Sequence, residues 1–247
     1  MIPQMFRLQT KSVTNSTNDD VKLAALAGEA EGYVVQAFEQ KAGRGRHGRV
    51  WESPRGNLYV SVLLRPRCTL TQAGYYSFAT AMAVYDAVLD AHPRANIQLK
   101  WPNDVLIRGK KISGILIEAA PCENGIVDWI VIGVGINVAN HPDNMPYPAT
   151  SLMAEGVVVP VHQVLESFLR SLDHWHMTLR YDGFRPVRRA WLADAKLGAI
   201  VVRVGTEEIT GNFGGLDERG GLILCLLNGG ERVIDAGDVF YIGEGTN

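Results

Sequence analysis

A chain of 247 residues, 47% of them hydrophobic, can bury one substantial core and a smaller second one, which excludes an intrinsically disordered protein and a disulfide-stapled miniature. A formal net charge of −2 excludes a broadly basic surface built for duplex nucleic acid. Cys68, Cys122 and Cys225 are odd in number and lack paired zinc spacing, so a reducing, cytoplasmic setting is expected, and no stretch is long enough to span a membrane.

Along the chain, Ser16-Thr17-Asn18-Asp19-Asp20 places capping groups and acids before a short helix at residues 21–27. Residues 33–38 read as a strand, and residues 41–49 form the run Lys-Ala-Gly-Arg-Gly-Arg-His-Gly-Arg, closing on Trp51. Gly43, Gly45 and Gly48 give this run backbone freedom, while Lys41, Arg44, Arg46 and Arg49 supply donors for carboxylate or phosphate oxygens. Repulsion among the cations opposes order, so the loop is expected to be mobile until a polyanion folds it down. The spacing Gly43-x-Gly45-x-x-Gly48 imitates a dinucleotide fingerprint, but residues 52–56 break the chain where a helix should begin and no acid follows before Asp86. A solvated basic loop, or one that contacts a nucleic-acid backbone, is the alternative reading of these residues.

A strand at residues 58–64 precedes a long buried helix at 69–91. Short strands are expected at 97–101 and 105–107, a hairpin tip at Arg108-Gly109-Lys110-Lys111, its return strand at 112–118, and a central strand at 126–138. Residues 141–148 read as a proline-rich surface loop, followed by helices at 161–181 and 185–195. His174 and His176 stand two apart on a helix and so diverge, which argues against a metal pair. Beyond Gly198 the style changes to short strands at 200–204, 207–212, 222–227 and 233–241, separated by glycine turns. The expected architecture is α+β: a mixed β-sheet backed by helices over residues 1–196, with a small SH3-like β-barrel over 197–247.

Set beside Ser16-Thr17-Asn18, the basic loop, Lys100-Trp101-Pro102-Asn103-Asp104, Lys111-Ile112-Ser113-Gly114-Ile115-Leu116 and Gly133-Val134-Gly135-Ile136-Asn137, the chain resembles the biotin protein ligases over about residues 14–137, and that family also carries a small C-terminal barrel. The resemblance implies a class II synthetase-like, biotin/lipoate ligase core. It implies that biotin and ATP with Mg2+ form biotinyl-5′-adenylate, and that biotin then passes to a lysine of a biotin carboxyl carrier protein or domain. It places Ser16, Thr17 and Gln40 at the ureido end of biotin, with Asn18 adjoining them, and Arg44, Gly45, Arg46, Lys111, Gly114 and Gly133 also against biotin. It further implies catalytic roles for Arg44, Arg46 and Lys111. Arg46, Arg49, Trp51, Asn103, Asp104 and Asn137 fall to ATP or the adenylate, Trp51 packing over adenine, Asn103 and Asn137 reading its edge, and Asp104 on ribose or magnesium.

Two positions depart from the family pattern: Asn15 stands where many relatives have an acid, and His47 where arginine is frequent. About fifteen residues precede Ser16, too few for a winged helix-turn-helix, so a ligase without operator binding is expected. An exposed sheet edge offers a route to a homodimer. A lipoate or octanoate ligase built on a related core, a nucleic-acid-binding protein, and a biotin sensor that transfers nothing are the competing readings.

Overall fold

The computed structural model describes residues 1–121, 124–143 and 147–242. Cys122 and residues 144–146 of the loop expected at 141–148 lie outside them, and Cys68 and Cys225 are free thiols. No helix among the described residues is long and apolar enough to cross a membrane.

Seven strands make one mixed sheet: β1 (Arg7–Lys11), β2 (Tyr33–Ala37), β3 (Leu58–Leu64), β4 (Ile97–Lys100), β5 (Asp104–Ile107), β6 (Lys110–Pro121) and β7 (Val127–Ile136). Their spatial order is β1-β2-β3-β7-β6-β5-β4, with β1 parallel to β2 and every other neighbour antiparallel. The centre is β3 against β7, registered from Leu58 opposite Ile136 to Leu64 opposite Ile130.

Period-two alternation on these central strands divides the molecule. Ile130, Ile132, Val134 and Ile136 of β7, with Val60 and Val62 of β3, join the main core beneath α2 (Leu70–Ala91), α3 (Val161–Asp182) and α4 (Phe184–Ala193). Trp129 and Val131 point the other way, into a small cluster with Val21 and Ala25 of α1 (Thr17–Leu26). By the same alternation Gly133 and Gly135 open on the α1 side, where missing side chains leave room. The long helix α2 starts one residue later than expected: Thr69 is its N-cap, in a capping box with Gln72.

The C-terminal unit is a five-stranded antiparallel sheet of β8 (Ala199–Val204), β9 (Glu207–Leu216), β10 (Leu222–Leu226), β11 (Glu231–Ile234) and β12 (Asp238–Tyr241), in the order β11-β10-β9-β8-β12. The strand expected at 233–241 is therefore two strands: β11 pairs with β10, whereas β12 crosses to β8. Phe213 of β9 packs against Trp191 of the main core, and Trp101 Nε1 donates to Gly220 O at 3.0 Å, so this sheet is docked against the helices.

Other expectations shift. The hairpin tip is only Arg108 and Gly109, at φ 50° and 79°, while Lys110 and Lys111 belong to β6. The first strand, β1, was missed because Arg-Leu-Gln-Thr-Lys has no apolar alternation; it is an exposed edge paired on one side only.

Candidate active site

On the α1 side of the sheet, one cavity opens between the first turn of α1, the basic loop, β5, β6, β7 and β12. Its free volume is about 90 Å³, far below the roughly 300 Å³ or more typical of small-molecule pockets. The basic loop and Trp51 close it.

Its blind end is polar. Ser16 is the N-cap of α1, yet its side chain makes no capping hydrogen bond, and it is buried. Thr17 N and Thr17 Oγ1 both donate to Gln40 Oε1, at 2.8 and 3.1 Å, while Gln40 Nε2 donates to Ser53 Oγ at 3.0 Å. Asn18 Nδ2 donates to Glu118 Oε2 at 2.8 Å, and Ser61 Oγ donates to Asn18 Oδ1 at 2.6 Å. Asn18 lies so close over Gly133 that a Cβ there would collide with its amide oxygen.

The mouth is cationic, and each cation faces a carboxylate. Arg44 donates twice to Asp19, at 2.8 and 2.5 Å, and this hydrogen bonding holds the Asp19 carboxyl below its ordinary range and raises Arg44. Arg46 Nη1 donates to Gly237 O at 3.2 Å and stands 3.9 Å from Asp238; burial pulls its pKa down. Arg49 is paired with the same Asp238. Lys111 Nζ stands 2.7 Å from Asp104 Oδ1 and 5.4 Å from the centre of a Trp51 ring. The Trp51 indole covers Gly114 and Gly135, and its Nε1 is buried without a hydrogen-bond partner.

Chemically, a slot with fixed donors and acceptors at one end and displaceable ion pairs at the other suits a polar-headed acid whose carboxylate meets a polyphosphate. Residues 10–137 match the biotin/lipoate A/B protein ligase family, and residues 199–241 match the biotin protein ligase C-terminal domain. The biotin–[acetyl-CoA-carboxylase] ligase of Paracoccus denitrificans is 41% identical over 241 residues, covering 93% of this chain and 98% of that one. The chain belongs to the biotin protein ligase family. The corresponding ligase of Mycobacterium tuberculosis is 37% identical over 96% of this chain and 89% of its own. The biotin protein ligase of Aquifex aeolicus, solved with biotin and ATP, superposes with a TM-score of 0.80 at 27% identity, over 95% of this chain and 97% of that one.

Of the residues nominated from sequence, Ser16, Thr17, Asn18, Gln40, Arg44, Gly45, Arg46, Arg49, Trp51, Asn103, Asp104, Lys111, Gly114 and Gly133 all line this ligase's cavity. Asn137 does not: it is buried behind the wall, where its amide donates to Thr150 O at 3.0 Å. Asn103 Nδ2 donates to Ile115 O at 2.7 Å, so its amide ties two segments of the wall together.

The cavity also includes Lys100, Tyr147 and Asp238, with Val239 and Phe240 beside it. Asp238 carried no local signal, since only the fold brings β12 to the mouth. Glu118 was legible in principle: on β6 it shares a face with Gly114 and Leu116 by period two.

Proposed function

We propose that this ligase activates biotin with ATP and transfers it to one lysine of a biotin carboxyl carrier domain. The single observation that carries the reading is the joining, in one cavity, of a hydrogen-bonding blind end around Thr17 and Gln40 to a mouth of arginines and Lys111. The ureido ring fits the first, and the carboxylate with the α-phosphate fits the second. The carrier is proposed from the carboxylase named in the Paracoccus relative. The two sheets are proposed to act as two units, meeting near Leu197, that share this one site.

In the first half-reaction a carboxylate oxygen of biotin attacks the α-phosphorus, and the bond to the β-phosphate bridging oxygen breaks, releasing pyrophosphate. Biotin and ATP repel one another until cations intervene. Arg44, Arg46, Arg49 and Lys111 supply them, exchanging their partners Asp19, Asp238 and Asp104 for substrate oxygens. Charge that grows on the phosphoryl oxygens in the transition state is met by donors already in place.

In the second half-reaction the carrier lysine amine attacks the acyl carbon, the anhydride C–O bond breaks, and AMP leaves. A closed basic loop excludes water from that anhydride. Asp104, once Lys111 leaves it for substrate oxygens, would hold a magnesium ion brought in on the ATP phosphates.

Labelled biotin, ATP, magnesium and a carrier domain test the reading. Covalent labelling of the carrier lysine is expected. Octanoate or lipoate incorporation in its place would transfer the chain to the sister activity, and pyrophosphate release without carrier labelling would leave only a sensor.

A further inference from the structure

We infer that Glu118, which does not line the cavity, is a positioning residue that sets the hydrogen-bond polarity of the blind end through Asn18 and Ser61. The inference rests on the biotin reading and names what makes that end selective for a cyclic urea.

An ionised carboxylate can only accept. Glu118 Oε2 lies 2.8 Å from the Asn18 amide nitrogen, which obliges Asn18 to turn Nδ2 toward it and Oδ1 toward Ser61. Lys22 Nζ, 3.5 Å from the other Glu118 oxygen, balances the charge from the outer side. Ser61 is wholly buried, and its hydroxyl is 2.6 Å from Asn18 Oδ1 and 2.8 Å from Thr17 Oγ1. It has one proton, and Asn18 Oδ1 has none, so that proton belongs on Asn18. The Thr17 proton then goes to Ser61 or to Gln40 Oε1 at 3.1 Å, and in either case it stays inside the network. Thr17 Oγ1 consequently offers lone pairs to the cavity.

A cyclic urea presents two N–H donors beside one carbonyl, so a fixed acceptor on the wall matches it. Reversal of the Asn18 amide would undo this. Ser61 would then accept from Nδ2 and give its proton to Thr17, whose own proton could no longer go to Ser61 and would be free to turn from Gln40 into the cavity, where it opposes a ligand N–H. Two residues that never touch the ligand thus decide what Thr17 can accept.

The test is calorimetric titration of the full chain with biotin, alongside steady-state KM values for biotin and ATP. Glu118→Gln keeps shape but can donate to Asn18, which removes the bias. Biotin Kd is expected to rise about tenfold, the size of one misdirected buried hydrogen bond, with the change carried in KM for biotin and KM for ATP held within about twofold. General loosening would move both. The double variant Asn18→Asp with Glu118→Gln places an acceptor-only group next to Ser61 again and should recover most of the lost affinity. Asn18→Asp alone sets two carboxylates face to face and should bind biotin worse still. Wild-type affinity in Glu118→Gln, or a double variant no better than the single one, would overturn the inference while the biotin reading stands. Absence of biotin binding in the wild-type chain would overturn both.

Discussion

Lys111 and Asp104 face one another from adjacent antiparallel strands, Nζ 2.7 Å from Oδ1, with side chains only 13% and 15% exposed. A cation inside a wall is thereby kept in place by a partner that an incoming anion can displace. Lys111→Ala should lower the rate of pyrophosphate release by about a hundredfold or more, as for loss of an oxyanion donor. It should also lower thermal stability, because Asp104 loses its short contact. Pairing it with Asp104→Asn is expected to restore the melting temperature without restoring the rate. Recovery of both together would assign Lys111 to structure alone.

Arg46 reaches Gly237 O and faces Asp238, so the cationic loop is fastened to the C-terminal sheet. Arg46→Ala should reduce adenylate formation by about a hundredfold through lost transition-state stabilisation. Asp238→Asn should instead change KM for ATP, since it alters the group that phosphate must displace. Pyrophosphate exchange kinetics separate the two, and near-normal exchange in Arg46→Ala would remove that arginine from the chemistry.

Trp51 lies over Gly114 and Gly135 with its indole N–H unpaired, filling part of the cavity. Its fluorescence should change on adding biotin and ATP, and Trp51→Phe should abolish most of that change. Gly135→Ala should displace the indole and raise KM for ATP at least several-fold, because a Cβ there overlaps the ring. An unaltered KM would mean that the ring leaves this position before ATP arrives.

The Asp19–Arg44 pair ties the basic loop to α1, and its folded-state carboxyl lies below the ordinary value. A depressed carboxyl contributes above its unfolded pKa, about 3.9, and loses that contribution as pH falls through the folded value. Both partners are more than a third exposed, so the effect is local and weakened by salt. Limited proteolysis within residues 41–49 should accelerate as pH drops below about 4, and Asp19→Asn should cleave at the faster rate even at neutral pH. Equal cleavage in the two proteins would dismiss the tether.

The central strands were legible because β3 and β7 bury both faces and are almost uninterrupted β-branched or apolar residues. Ser16, Thr17 and Lys111 were legible only as part of an ordered set of motifs; taken one at a time they look like a helix cap and a charged turn. What stayed hidden depends on distance in the chain. The loop was expected to find its counter-charges in a ligand, yet Asp19 and Asp238 serve, from 25 and 189 residues away. Asn137, given to the adenine edge by the family resemblance, was expected within the strand, but β7 ends at Ile136 and its amide donates to Thr150 O. Residues 233–241, expected as one continuous strand, divide at the turn signal Asp235-Ala236-Gly237.

Because β12 crosses over to β8 and brings Asp238 to the mouth, one wall of the cavity is supplied by the C-terminal sheet. A chain emerging from the ribosome holds the blind end and most of its arginines long before that wall exists. The clasp that Gly237 and Asp238 put on the basic loop is therefore made only once the second sheet has folded and docked.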